Sequence, residues 1–476
     1  MLISGASPAT VLGLLGVALA IGLPLAILAW RRFTYRVEGG QLEVRQGVLV
    51  SSLRTIPLSR VRGIDITAPL LHRLAGLVAV RVDDATGGRG SSGLRLAAVT
   101  RADAEALREA VLTPGRAAAG APVEAAPEPA LAAVGAGTLA LGGATSGRYL
   151  LVPLAAVAAV VNLVDDGLPG VDRVLELAEE RAPTDPLVLA ALAAVVLVVA
   201  VGAAALGSVL VDGGFRLTEA RGRLVAERGL IARRSVAIDR RRVRAYEVRD
   251  TPLWRALGLA SLRAVVGGIP EGRGDASGRT TLVPVDRRQA VWGLLHRLAP
   301  AAPDALDPHP AAARTRRLVR ATAPPALAAI LLGVLGRPGP AIALGAATLL
   351  MVLVGLDRYR SLGHRLDRGW LGLREGSLAR RHAMVEPGAV VAYRISASPF
   401  QRRVGLCTLT AHLGQGAGSR RALDLGTGEA VAVLARAEPD LVGPLLAAGP
   451  PAPQAVAKRP IVASGRTPGR WSRKIR

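Results

Sequence analysis

Aromatic residues make up only 3% of the 476-residue chain, lysine is confined to Lys458 and Lys474, and Cys407 is the single cysteine. A lone cysteine excludes a disulfide framework and any cysteine-rich metal site, and it fits a reducing compartment for the segment that carries it. With so few aromatics, the cores must be built from Leu, Val, Ile and Ala. The 60 basic residues are almost all arginine against 36 acidic ones, a bias that GC-rich coding explains more simply than selected arginine chemistry, so the net charge of +24 says little about partners. Charge is also missing locally. Half of the chain is hydrophobic, and its uncharged runs approach the roughly 20 residues needed to cross a bilayer, which excludes a single soluble domain.

Residues 1–30 hold no charge and are followed at once by Arg31 and Arg32. This charge order is the reverse of a signal peptide and predicts a transmembrane helix over 1–33, with its arginines in the cytoplasm and its N-terminus outside unless a further span precedes Met1. A second membrane block is expected over 129–211. Its first part, Pro129 to Val164, is too long for one straight span and short for two, and that choice stays open. Its last part, Pro186 to Val211, is uncharged throughout. Between them, 165–185 carries Asp165, Asp166, Asp172, Glu176, Glu179, Glu180 and Asp185 against Arg173 and Arg181, and reads as an acidic outside loop. A third block, 321–356, is broken by Arg337-Pro338-Gly339-Pro340 into a transmembrane hairpin. Even crossing numbers then put all three polar regions on the cytoplasmic side of a multi-pass cytoplasmic-membrane protein.

Those polar regions are one unit repeated. The stretch from Gly40 to Leu49 recurs from Gly222 to Ile231 and, more faintly, from Gly369 to Leu378. In each copy a leucine (Leu42, Leu224, Leu371) precedes a glycine (Gly47, Gly229, Gly376) by 5 residues, and a second glycine (Gly76, Gly258, Gly405) follows 29 later. Alternation at Leu42, Val44, Val48, Val50, Ile56, Val61, Ile64 and Ile66 predicts antiparallel strands. Each copy closes with a strand, Leu94 to Val99, Thr281 to Val285 or Ala422 to Leu425, and then a helix, for which Thr100 is a natural N-cap in the first. Short strands followed by one helix is the order of a pleckstrin-homology (PH)-like half-open barrel.

The residues resemble the bacterial membrane-flanked PH-like domain family, of the YdbS/YdbT type. The resemblance rests on Tyr35, on Leu42 to Leu49, on Ile56-Pro57-Leu58-Ser59-Arg60-Val61 and on Leu71-His72-Arg73-Leu74-Ala75-Gly76-Leu77. The second copy answers with Phe215, Ile238 to Val243 and Leu253-Trp254-Arg255-Ala256-Leu257-Gly258, whereas the third has Glu386-Pro387-Gly388 where the arginine of the middle segment belongs. The resemblance implies three PH-like β-barrel domains, each with a C-terminal helix, separated by transmembrane α-helices. They span 34–115, 212–300 and, in degenerate form, 357–447, with linkers at 116–128 and 301–320 and a basic Pro-rich tail at 448–476. It implies no established biochemical activity, and it points to a smaller membrane protein with one PH-like domain as a partner.

No motif outweighs its structural explanation. Ala422-Leu423-Asp424-Leu425-Gly426-Thr427-Gly428-Glu429 imitates a methyltransferase glycine loop, but the repeat makes it a last strand and helix cap, without the alternation of strands and helices such a site needs. Gly88-Arg89-Gly90-Ser91-Ser92-Gly93 fits a phosphate-loop pattern but lies between two strands, with no helix N-terminus to hold an anion. His72, His296, His309, His364, His382 and His412 show no zinc-ligand spacing. No catalytic residue, cofactor or metal is therefore expected. The spans lack the ionisable residues of coupled transport, and the arginines lack the interleaved aromatics of nucleic-acid readers. What remains is the bilayer itself. Arg233, Arg234, Arg240, Arg241, Arg242 and Arg244 are candidate contacts to anionic inner-leaflet lipids, where each basic group near the surface contributes about 1 kcal/mol. The expected function is a non-enzymatic scaffold of lipid- or protein-binding modules. The alternative is a lipid or small-molecule handling protein whose helices form a cavity.

Overall fold

The computed structural model describes residues 34–46, 52–84, 94–112, 129–151, 186–267, 280–414 and 417–444, less scattered positions within them, together with Arg32 and five helical residues of the N-terminal stretch, Gly13, Gly16, Ala20, Pro24 and Leu28. The acidic segment 165–185, the glycine-rich segment 88–93, the tail from 448, Gly47 and most of the first span lie outside the described residues.

Six strands and a helix recur three times. In domain 1, β1 (Thr34–Glu38), β2 (Gln41–Gln46) and β3 (Ser52–Pro57) precede β4 (Val61–Ala68), β5 (Leu77–Asp84), β6 (Leu94–Thr100) and α1 (Arg101–Leu112). The period-two residues turn inward, with Leu42, Val44, Ile64, Val80, Val82 and Leu96 almost wholly buried against Ala104 and Leu107 of α1. Thr100 caps α1 through the Asp103 amide at 3.2 Å, as its position predicts. Between domains 1 and 2 come β7 (Ala130–Ala133), α2 (Ala136–Ala144) and α3 (Pro186–Asp212).

Domain 2 repeats the order with β8 (Arg216–Ala220), β9 (Arg223–Arg228), β10 (Arg233–Asp239), a 3-10 turn at Arg240–Arg242, β11 (Val243–Asp250), the short α4 (Pro252–Ala256), β12 (Leu259–Val266), β13 (Thr281–Arg287) and α5 (Arg288–Leu298). The chain then forms α6 (Ala311–Val334) and α7 (Pro338–Arg360). Domain 3 follows as β14 (Gly363–Asp367), β15 (Trp370–Glu375), β16 (Arg380–Val385), β17 (Val390–Ser396), α8 (Pro399–Arg403), β18 (Leu406–Leu413), β19 (Ser419–Gly426) and α9 (Thr427–Ala437). The repeat holds down to its irregularities. The fourth strand of every domain slips register at the same place, between Val61 and Gly63, Val243 and Ala245, and Val390 and Ala392. The second repeat glycines, Gly76, Gly258 and Gly405, all adopt φ between 65 and 69°, a region open to glycine at little cost.

The domains are not separate beads. Strands 4–6 of domain 1 and strands 1–3 of domain 2 form one seven-stranded sheet, β6-β5-β4-β10-β9-β8-β7, and domains 2 and 3 share a six-stranded sheet, β13-β12-β11-β16-β15-β14. Both junctions use the same register. Ala68 faces Arg233 where β4 meets β10, and the equivalent Asp250 faces Arg380 where β11 meets β16. Each barrel is therefore split between two sheets and closed by its core, as where Leu217, Leu224 and Ile238 meet Val248, Leu262 and Leu282 under Leu294 and Leu295 of α5.

Among the described residues three helices, α3, α6 and α7, are long and apolar enough to cross a membrane, with mean hydropathies of 2.9, 1.3 and 2.1. Helices α6 and α7 form the expected hairpin, turning at Gly336 (φ +68°), and Pro338 opens α7, where a missing N–H costs nothing. The helical run is longer than the 321–356 stretch, because the first turns of α6 carry Arg316 and Arg317, which pair with Asp424 of domain 3 at 2.5 and 2.6 Å. The expected start of the second membrane block at 129 is replaced by other structure. Ala130–Ala133 adds a strand to the edge of β8, and α2 packs between α3 and β13. Gly142 and Gly143 allow that fit, since a Cβ on them would collide with Val285 and Ser208 respectively. Val134 and Leu139 of this stretch join the core of domain 2.

Candidate functional site

Where β4 meets β10, a cavity of about 550 Å³ opens beside Gly213 and Gly214, the residues that end the α3 span. Seven arginines line it, Arg73, Arg101, Arg108, Arg216, Arg228, Arg233 and Arg234, against Glu105 and Glu227. The repeat and the membrane helix together assemble this set. Arg73 belongs to the family-like segment before Gly76 in domain 1, and its guanidinium donates to the Leu230 carbonyl at 3.0 Å, clamping the β9–β10 turn of domain 2. Arg255 of domain 2, at the equivalent place, donates to the Ser377 carbonyl of domain 3 at 3.0 Å. Gly229 makes the clamped turn possible. Its φ is +102°, and a Cβ would run into the Ala232 carbonyl. Gly376 repeats both features.

The cavity's arginines divide by burial. Arg228 pairs with Asp212 at 2.8 Å, both nearly buried, and Tyr149 donates to the same carboxylate at 2.6 Å. Arg234 forks onto Asp65, which is 3% exposed, with one arm at 3.0 Å. These two pairs hold α3 and the junction. Among the described residues Arg101 is engaged by its helical neighbour Glu105 on the surface, and Arg108 donates to Ser235 Oγ at 3.4 Å. Arg216 and Arg233 are exposed and make no ion pair among the described residues. The site thus presents exposed guanidinium groups above a rim of buried ion pairs, beside the carbonyl end of α3, where cations are favoured. Chemically, it can hold an anion of phosphate type.

The six arginines expected to meet lipid headgroups separate in the same way. Arg234 is locked to Asp65 at the junction. Arg240 pairs with Glu219 at 2.7 Å and caps the Leu298 carbonyl, and Arg242 donates to the Val61 carbonyl across the junction. The Arg244 carbonyl accepts the Glu386 amide, so that residue joins domains 2 and 3. Arg233 and Arg241 stay exposed, and only Arg233 and Arg234 reach the cavity. Sequence spacing missed Arg73, Arg101, Arg108, Arg216 and Arg228, which come from distant segments. The resemblance had marked Arg73, and for the others no sequence signal was available.

The remaining motifs are structural in placement. The strand of the glycine-loop imitation, β19, pairs antiparallel with β18, and Glu429 accepts the Gly426 amide at 3.3 Å in a capping box. Strands β5 and β6 on either side of Gly88 to Gly93 also pair antiparallel. His382 is buried edge-on against Trp292 at 5.4 Å, and His309 packs against His364 at 5.1 Å while its Nδ1 meets the Leu423 carbonyl at 2.9 Å. Among the described residues no group of three or more His, Cys, Asp or Glu side chains is placed to hold a metal ion.

Comparison with known proteins agrees with the repeat. The transmembrane protein YdbT of Bacillus subtilis (strain 168) is 24% identical over 302 residues, which cover 60% of this chain and 60% of that protein. No solved structure matches. A family model described as Bacterial PH domain matches residues 6–114, 150–299 and 314–438, one match for each six-strand unit, so that the chain belongs to the Bacterial PH domain family as a three-domain membrane protein.

Proposed function

We propose that the protein is a non-enzymatic scaffold of the cytoplasmic membrane whose PH-like domains engage anionic lipid headgroups of the inner leaflet. The observation that carries this reading is the arginine-lined cavity at the end of α3. A span ends where the headgroup layer begins, so Arg216 and Arg233 stand at the depth of lipid phosphates. A few basic groups there contribute about 1 kcal/mol each, enough in sum to orient the array against the bilayer. The pairs Arg228–Asp212 and Arg234–Asp65 leave the rim charged after their own acids are satisfied.

The test is lipid retention. Full-length protein reconstituted in nanodiscs of phosphatidylcholine with phosphatidylglycerol should co-purify bound phosphatidylglycerol by native mass spectrometry after delipidation. The triple variant Arg101→Ala, Arg216→Ala, Arg233→Ala should lose it, while Arg241→Ala, on an exposed turn outside the cavity, should keep it. Equal retention by all three proteins contradicts the reading.

A further inference from the structure

Domains 1 and 2 each offer the fourth strand to the third strand of the following domain, and among the described residues the matching edge of domain 3, on β17, pairs with no third strand. We infer that the open edge of β17 docks the third strand of a PH-like domain on a different polypeptide, one that presents a carboxylate where domains 2 and 3 present Arg234 and Arg381.

Three observations converge on that edge. The first is continuity with the two internal junctions. The β4–β10 and β11–β16 pairings share one register in repeat coordinates, so the geometry of a third junction is already specified. Strand β17 ends its sheet, and none of the described strands lies beyond it. Ile395 is 42% exposed there, whereas Val248, its equivalent in domain 2, is buried in the barrel core and Ile66, its equivalent in domain 1, is partly buried. Val391 on the same edge is 75% exposed. Paired strand edges of this kind capture other strands when open.

The second is the clamp. Arg73 and Arg255 each reach a turn carbonyl of the following domain. Arg402 holds the same repeat position in domain 3, in α8, and its exposed guanidinium has no partner among the described residues. The clamping group is in place without the turn it would hold.

The third is charge, and it selects the occupant. Asp65 and Glu247 occupy one repeat position on the fourth strands, and they meet Arg234 and Arg381 of the following third strands, the latter at 3.7 Å. In domain 3 that position is Arg394. A second copy of this chain is a poor fit. In the shared register its own open third strand, β3, would set Arg54 directly opposite Arg394 and Ser52 where the pairing group belongs. Like charges facing each other across strands repel, and a carboxylate on the incoming strand restores the pair with its polarity reversed.

The experiment uses the full-length protein in its native cells, with p-benzoylphenylalanine replacing Ile395 as the photo-cross-linking probe. The expected product joins position 395 to a third strand of a PH-like domain in another membrane protein, with Asp or Glu in the peptide facing Arg394. Arg394→Glu should reduce its yield by about tenfold or more, and replacing that partner carboxylate by Arg should restore it in the Arg394→Glu background. A cross-link to a second copy, to another segment of the same chain or to a protein without such a domain overturns the inference, as does no cross-link at all.

Discussion

Asp65 and Glu247 are buried carboxylates that the fold tolerates only because each junction brings arginines to them. Burial alone would raise Glu247, yet Arg249, Arg420 and Arg381 hold it below the ordinary carboxylate range. Removing one partner of a buried pair leaves an uncompensated charge, at about 3–5 kcal/mol. Arg234→Ala should therefore lower stability by roughly that amount, discounted for the partial exposure of Arg234, while Arg234→Met with Asp65→Leu should recover most of it. Denaturant unfolding of the two variants in detergent checks this, and an undisturbed Arg234→Ala would show that the pair is incidental.

His382 supplies a second residue-scale prediction. Burial, and then the guanidinium groups of Arg374, Arg288, Arg380 and Arg255, push its pKa down to about 3, and burial pushes His309 down to about 4. The folded protein keeps both imidazoles neutral, whereas the unfolded chain protonates them near the ordinary value of 6.5. Their stability contribution is complete above pH 6.5 and is lost as pH falls through that window toward the folded values. His382→Phe, which preserves the ring against Trp292, should flatten the acid side of the stability profile. An unchanged slope between pH 6.5 and 4 would contradict the assignment.

At the scale of elements, the turn glycines carry the clamp. Gly229 and Gly376 lie at φ +102° and +99° with a carbonyl where a Cβ would go, so Gly229→Ala and Gly376→Ala should each cost about 1–3 kcal/mol. Gly428→Ala, in the open first turn of α9, should cost nothing measurable and serves as the control in a thermal melt. These glycines were legible in the sequence because three copies share one spacing, and the alternation at Leu42, Val44 and Ile64 placed the strands of domain 1 for the same reason. The junctions were not legible. A strand's partner across 169 residues, as for Asp65 and Arg234, leaves no trace in local periodicity. Residues 130–144 misled in the other direction, since an apolar helix that packs one face, through Leu139, Gly142 and Gly143, between α3 and β13 has the composition of a membrane segment.

For the whole molecule, the shared sheets join the three domains into one array, and the three described helices long and apolar enough to cross a membrane all leave from the domain side. α3 ends at Asp212 beside the cavity, α6 starts in contact with Asp424, and α7 ends at Asp357, which takes Arg380 at 2.9 Å and Ser377 at 2.7 Å. Breaking a junction strand should thus disturb its neighbours as well. Val236→Pro in β10, a strand paired on both sides, removes a ladder donor and should raise hydrogen exchange in β4 of domain 1 as well as in β9. Exchange confined to domain 2 would mean that the junction is not load-sharing.

The central claim, three PH-like domains joined on the cytoplasmic side, is tested most directly by cysteine accessibility in intact cells. In a Cys407→Ser background, single cysteines replace Leu53, Arg241 and Arg421, exposed residues of the three domains, and Asp172 in the acidic loop. An impermeant maleimide should label position 172 in intact cells and the other three only after lysis. Labelling of any of the three domains from outside would contradict the account.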